Sequence, residues 1–102
     1  MSKTSIKITI NNKEYSYDFA KFGFYALCTA EKEYGLNPLE LENNPMSTIL
    51  SLFAFVAAMD VDKAGAEIDA HLANGGSFED LFPLLTGFQE CSFFQSMGKS
   101  KK

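Results

Sequence analysis

The strongest constraint on this chain is the alternation that flanks Asn11-Asn12. Ile6, Ile8 and Ile10 alternate with Lys7 and Thr9, and Tyr15, Tyr17 and Phe19 alternate with Ser16 and Asp18. A period of two is that of half-buried strands. Asn tolerates the positive φ that a two-residue primed turn demands at both central positions. Such a loop pairs Ile10 with Lys13, Ile8 with Tyr15 and Ile6 with Tyr17, so turn length and side-chain register agree. The spacing predicts an antiparallel β-hairpin over 5–19. An isolated hairpin is only marginally stable in water, so its Ile/Tyr face must lie on the helices that follow or on another subunit.

Everything after Phe19 reads as helix. Asp18 is placed as an N-cap, Phe22, Ala26, Leu27, Ala30 and Tyr34 form one apolar stripe, and Gly35 supplies a left-handed stop, which gives a first helix over about 19–34. Leu36 to Leu41 then reads as a connecting turn with its three leucines inward. Asn44-Pro45 starts a second helix over about 45–59, because Asn can cap and Pro suits the first helical position. A third runs over about 62–74 from Asp62 to the Gly75-Gly76 stop, with Ile68 and Leu72 on one face. Ser77-Phe78-Glu79-Asp80 resembles a capping box and opens a fourth over about 78–97, within which Pro83 must kink or restart the helix. Residues 98–102 form a flexible polar tail. The expected fold is a single α+β domain over 1–102, mainly helical, with an N-terminal hairpin and about four α-helices.

Several classes of function are disfavoured at this level. The N-terminus Met1-Ser2-Lys3-Thr4 lacks the apolar core of a secretory signal. The run from Ile49 to Met59 is well short of the roughly 18 apolar residues of a membrane span, so a soluble cytoplasmic protein with no membrane partner is expected. Cys28 and Cys91 stand far apart among apolar neighbours and read as buried, reduced thiols. His71 is the sole histidine, so no metal site is expected. It reads instead as a helix-surface residue near a C-terminus, where positive charge is favoured. From Glu33 to Gly98 ten acids face Lys63 alone, a balance of −9, and arginine is absent. Without a basic stripe, nucleic-acid binding loses its main electrostatic term. No nucleophile, base and orienting group assemble, there is no phosphate-binding glycine loop, and nothing in the sequence requires a cofactor. No enzymatic activity is expected.

The residues point instead towards protein contacts. The second helix has almost no polar face between Ile49 and Met59, so it is either the central helix or is covered on one side by a partner. Ten phenylalanines and four tyrosines exceed what so small a core needs, and outward-facing aromatics would mark an interface.

The order of these elements resembles a known family. Ile6-Lys7-Ile8-Thr9-Ile10-Asn11-Asn12-Lys13-Glu14-Tyr15, then Asp18-Phe19 opening a helix that stops at Tyr34-Gly35, then an Ala/Phe-rich helix and acid-capped helices, is similar across essentially the whole chain to the tail assembly chaperones of long-tailed, siphovirus-type bacteriophages. The resemblance is one of arrangement, because the family carries no catalytic signature to match. It implies binding and solubilisation of the helical tape measure protein during virion morphogenesis in the host cytoplasm. It also implies self-association to a homo-oligomer, recruitment of tail tube protein and absence from the mature virion. A longer form made by ribosomal frameshifting is a further implication, and Lys101-Lys102 could be encoded by the adenine run on which a ribosome slips. From the aromatic pattern alone, the expected contact residues are Phe53, Phe55, Phe82, Phe88, Phe93 and Phe94. Two other readings share this composition: a small acidic regulator or inhibitor that docks on a folded target, and a structural virion subunit.

Overall fold

The computed structural model describes residues 5–37 and 43–91. The hairpin forms as the alternation requires. Strand β1, Ser5–Ile10, pairs antiparallel with β2, Lys13–Asp18, in the register Ile6 to Tyr17, Ile8 to Tyr15 and Ile10 to Lys13. Both turn residues have positive φ, 53° at Asn11 and 68° at Asn12, the geometry of a primed turn that splays neither strand. Ile6, Ile8 and Ile10 are buried while their neighbours face water. Burial of each such side chain stabilises the fold by about 1.5–3 kcal/mol.

The first helix differs from the expected 19–34. Phe19–Lys21 is a short 3-10 turn, capped by the Asp18 carboxylate accepting from the Ala20 N–H at 3.0 Å. The chain then extends through Phe22 and Gly23 before α1, Phe24–Tyr34, begins. A glycine inside a helix costs about 1 kcal/mol relative to alanine, so Gly23 is a weak point, and aromatic packing decides the rest. Phe22 is fully buried with its ring edge-on to those of Phe19, Phe55 and Phe88 at centroid distances of 5.6, 5.2 and 5.7 Å. Gly35 ends α1 at φ 72°, and the Leu36 N–H donates back to the Ala30 carbonyl while its side chain is buried, a left-handed stop with its apolar contact.

Helix α2, Pro45–Ala57, is the central helix and touches α1, β2 and the two later helices. Ile49, Leu52, Phe53 and Ala54 are buried. Tyr15 stands edge-on against Phe53 at 5.2 Å and Tyr17 against Phe55 at 5.4 Å. Burial, and then the neighbouring Asp18 carboxylate, raise the pKa of the Tyr17 phenol. The buried Ser51 hydroxyl donates to the Tyr34 carbonyl at 2.8 Å, fastening α2 to the end of α1. Ala58 closes α2 in the left-handed region at φ 57°, where a Cβ costs about 1–2 kcal/mol. Ala58→Gly relieves that cost but frees the unfolded chain, which returns about 0.4–1 kcal/mol. The expected result is a gain of about 0.5–1 kcal/mol in urea unfolding, and a loss would show that the methyl group packs productively.

Helix α3, Val61–Ala73, starts one residue before the expected Asp62, because the Asp60 carboxylate accepts from the Lys63 N–H at 2.8 Å and so takes the cap. The region expected as one helix over 78–97 is divided. A second 3-10 turn, Phe78–Leu81, carries the capping box of Ser77 and Asp80, and α4 runs over Phe82–Gln89. Pro83 lies in the first turn of α4, where its missing N–H has no helical partner to lose. The helix therefore restarts. Gly87 seats α4 on β1, since a Cβ there would stand 2.5 Å from Phe19 Cδ2 and 3.0 Å from Ile6 Cγ2. Leu84, Phe88 and Cys91 are buried on this side, whereas Cys28 is half-exposed and departs from the expectation of burial. The proposed connection beyond Asn37, including Leu39 and Leu41, and everything after Cys91 lie outside the described residues.

Candidate protein-binding groove

The aromatic residues expected at a contact surface divide sharply. Phe53 and Phe88 have no exposed surface. They are core residues, because Phe53 lies on the part of α2 that its neighbours enclose, with Tyr15 edge-on to it, and Phe88 closes the cluster of Phe19 and Phe22. Phe55 is half-buried, edge-on to Tyr17, Phe22 and Tyr34. Of the described four, Phe82 alone is exposed, at 45%, with its ring against Phe78. Phe93 and Phe94 lie outside the described residues. These six do not converge on a single described surface.

An apolar groove instead opens where α2, α3 and the second 3-10 turn meet. Its volume is about 510 Å³. Met46, Ile49 and Leu50 of α2 form one wall, Gly65, Ile68 and Leu72 of α3 another, and Phe78 and Leu81 the third, with Asp69 as the one charged lining residue. Met46 is 64% and Leu72 38% exposed. Two sequence signals lead here: Ile68 and Leu72 at helical i, i+4 spacing, and Met46 in the first turn of a helix that is otherwise apolar inward. A flexible thioether beside branched side chains makes an adaptable apolar surface. Gly65 leaves room in the wall, since a Cβ there would meet only Leu50 Cδ1, at 3.8 Å.

The third wall is held by His71, which stands in the last turn of α3 as expected but is not the surface residue expected there. Its side chain is only 11% exposed. The Asn11 N–H donates to Nδ1 at 2.9 Å, and Nε2 lies 2.8 Å from Asp80 Oδ2. A ring nitrogen that accepts carries no proton, so the imidazole in this arrangement is neutral and its Nε2–H donates to Asp80. That carboxylate also accepts from the Ser77 N–H at 3.2 Å. The His71 hydrogen bond, followed by that of Ser77, lowers the Asp80 pKa below the ordinary carboxylate range. Glu67 Oε1 completes the cluster by accepting from Asn11 Nδ2 at 3.0 Å. The hairpin turn, α3 and the capping segment are thus joined through one imidazole.

Among the described residues no group of three or more His, Cys, Asp or Glu side chains is placed to hold a metal ion, and no helix is long and apolar enough to cross a membrane. Comparison with protein-family models, with curated proteins and with solved structures finds no match.

Proposed function

We propose that this protein is a phage tail assembly chaperone. It binds and solubilises the tape measure protein in the host bacterial cytoplasm, performs no catalysis and is left behind when the virion matures. The observation that supports this reading is the three-walled apolar groove, which offers an exposed apolar surface to one face of a partner helix, the general mode of helix-in-groove recognition. Asp69 lines the groove, and the sequence from Asn43 to Cys91 is acidic, with Asp60, Asp62, Glu67, Asp69, Glu79, Asp80 and Glu90 against Lys63 as the single lysine and no arginine. Such a charge balance favours a partner helix with basic flanks and keeps the complex soluble. Self-association, recruitment of tail tube protein and a longer frameshifted form belong to the same proposal.

Co-expression with the tape measure protein is expected to raise its soluble yield. Met46→Asp combined with Leu72→Asp places two charges in the groove at exposed positions, and is expected to abolish that gain while leaving the helical circular dichroism unchanged. Retention of the gain in the double variant would move the binding surface elsewhere. No gain with the unaltered protein would remove the chaperone reading and favour a regulator or a virion subunit.

A further inference from the structure

His71 meets two neighbours through two nitrogens of opposite character, an acceptor towards the hairpin turn and a donor towards the capping segment. We propose that this imidazole is a one-sided proton latch: a second proton on the ring releases the hairpin turn while the contact with Asp80 persists.

A protonated imidazole has an N–H at both nitrogens and no acceptor, so Nδ1 would confront the Asn11 N–H donor to donor. Turning the ring over exchanges the nitrogens without restoring a lone pair. The ring also packs flush on the backbone of Gly76, whose missing Cβ would occupy the same space as the imidazole. On the opposite side the same proton strengthens the bond, because an Nε2–H that already donates to an ionised carboxylate now carries positive charge and the contact becomes an ion pair.

The charged groups around the ring favour this asymmetry. The capping segment presents Asp80, with Glu79 beside it, and α3 itself presents Glu67 one turn earlier. The Gly75-Gly76 stop brings no charge. The hairpin turn brings Asn11, which is neutral, and the next charged residue along that strand is Lys13. Positive charge on the ring is therefore attracted to the capping segment and to its own helix, and gains nothing from the turn. Phe78 and Leu81 stay in place on the groove while the tip of the hairpin is freed.

The full chain carries a single histidine, so its ring nitrogens can be followed without ambiguity by nitrogen-15 NMR from about pH 8 to about pH 5. At the alkaline end Nδ1 is expected to be bare and Nε2 protonated. As the ring takes its second proton, protection of the Asn11 amide against hydrogen exchange, corrected for its intrinsic rate, is expected to fall about tenfold, the value of one hydrogen bond. The Ser77 amide, held by the Asp80 carboxylate, is expected to keep its protection over the same range. His71→Asn offers a carbonyl acceptor at every pH and is expected to remove the dependence at Asn11. A proton on Nδ1 at the alkaline end, unchanged Asn11 protection through the ring titration, or simultaneous loss at Asn11 and Ser77 would each overturn the latch, and all three are read on the unaltered protein.

Discussion

Phe88→Ala is expected to destabilise the protein by about 3–5 kcal/mol, the usual cost of removing a fully buried ring. Phe88 has no exposed surface and lies within 5.7 Å of the Phe22 centroid and 6.4 Å of that of Phe19. Removing it takes away the transfer energy of the ring and opens a cavity between the first 3-10 turn and α4. Small domains hold about 5–15 kcal/mol in total, so much of the population would unfold on mild heating. Phe82→Ala provides the contrast: that ring is 45% exposed, and a change of about 1 kcal/mol or less is expected. Urea titrations of the two variants measure the difference. Equal effects would mean that the burial pattern on α4 is wrong.

Gly87→Val carries the next largest expected effect, a loss of about 3 kcal/mol, at the upper end of the cost of overpacking a core. Helix propensity taken alone points the other way, since Val is a better helix former than Gly by a few tenths of a kcal/mol. Space decides. A Cβ at this position would stand 2.5 Å from Phe19 Cδ2 and 3.0 Å from Ile6 Cγ2, and both of those side chains are themselves buried. Neither can yield without displacing the hairpin or the 3-10 turn. A thermal unfolding midpoint equal to or above that of the unaltered protein would show that α4 does not rest on β1.

The hairpin was legible because three independent signals coincided in it: the period of two, a turn of two asparagines, and a register that pairs apolar with aromatic side chains. Caps made the helix ends almost as legible, at Gly35 and at Pro45, and Pro83 marked where the fourth helix would kink or restart, of which the fold takes the restart. The break in the first helix was not read, although Gly23 directly follows Phe22, the first residue of the proposed stripe. Its neighbours Phe19 and Phe22 suit a helix as well as a bent segment, and the choice is made by Phe55 and Phe88, which are distant in sequence. The contact surface was hardest to read. In α2 apolar residues fall on every side of the helix, so periodicity does not tell Phe53, which is enclosed, from Met46, which is exposed. Aromatic content drew attention to phenylalanines that build the core, while the groove is lined largely by aliphatic side chains. His71 was misread because its acceptor role depends on Asn11, sixty residues away.

The seating of α4 on β1 has a consequence for biosynthesis. The hairpin can form as soon as it leaves the ribosome, because its contacts are local, but the cover for Ile6 is made only when Gly87 and its neighbours emerge. Until then a nascent chain lacks the contacts of β1 with α4, although α3 and the two 3-10 turns already touch that strand, and incompletely covered apolar surface of this kind is where unfinished chains aggregate or recruit cellular folding factors. Closure between the first and last described elements also gives the domain a large share of nonlocal contacts, which slows folding relative to a simple helical bundle. Completion of the cover over β1 therefore waits for α4: a ribosome stalled before that helix would hold a chain with the earlier elements made and the Ile6 side of its first strand still lacking its contact with Gly87.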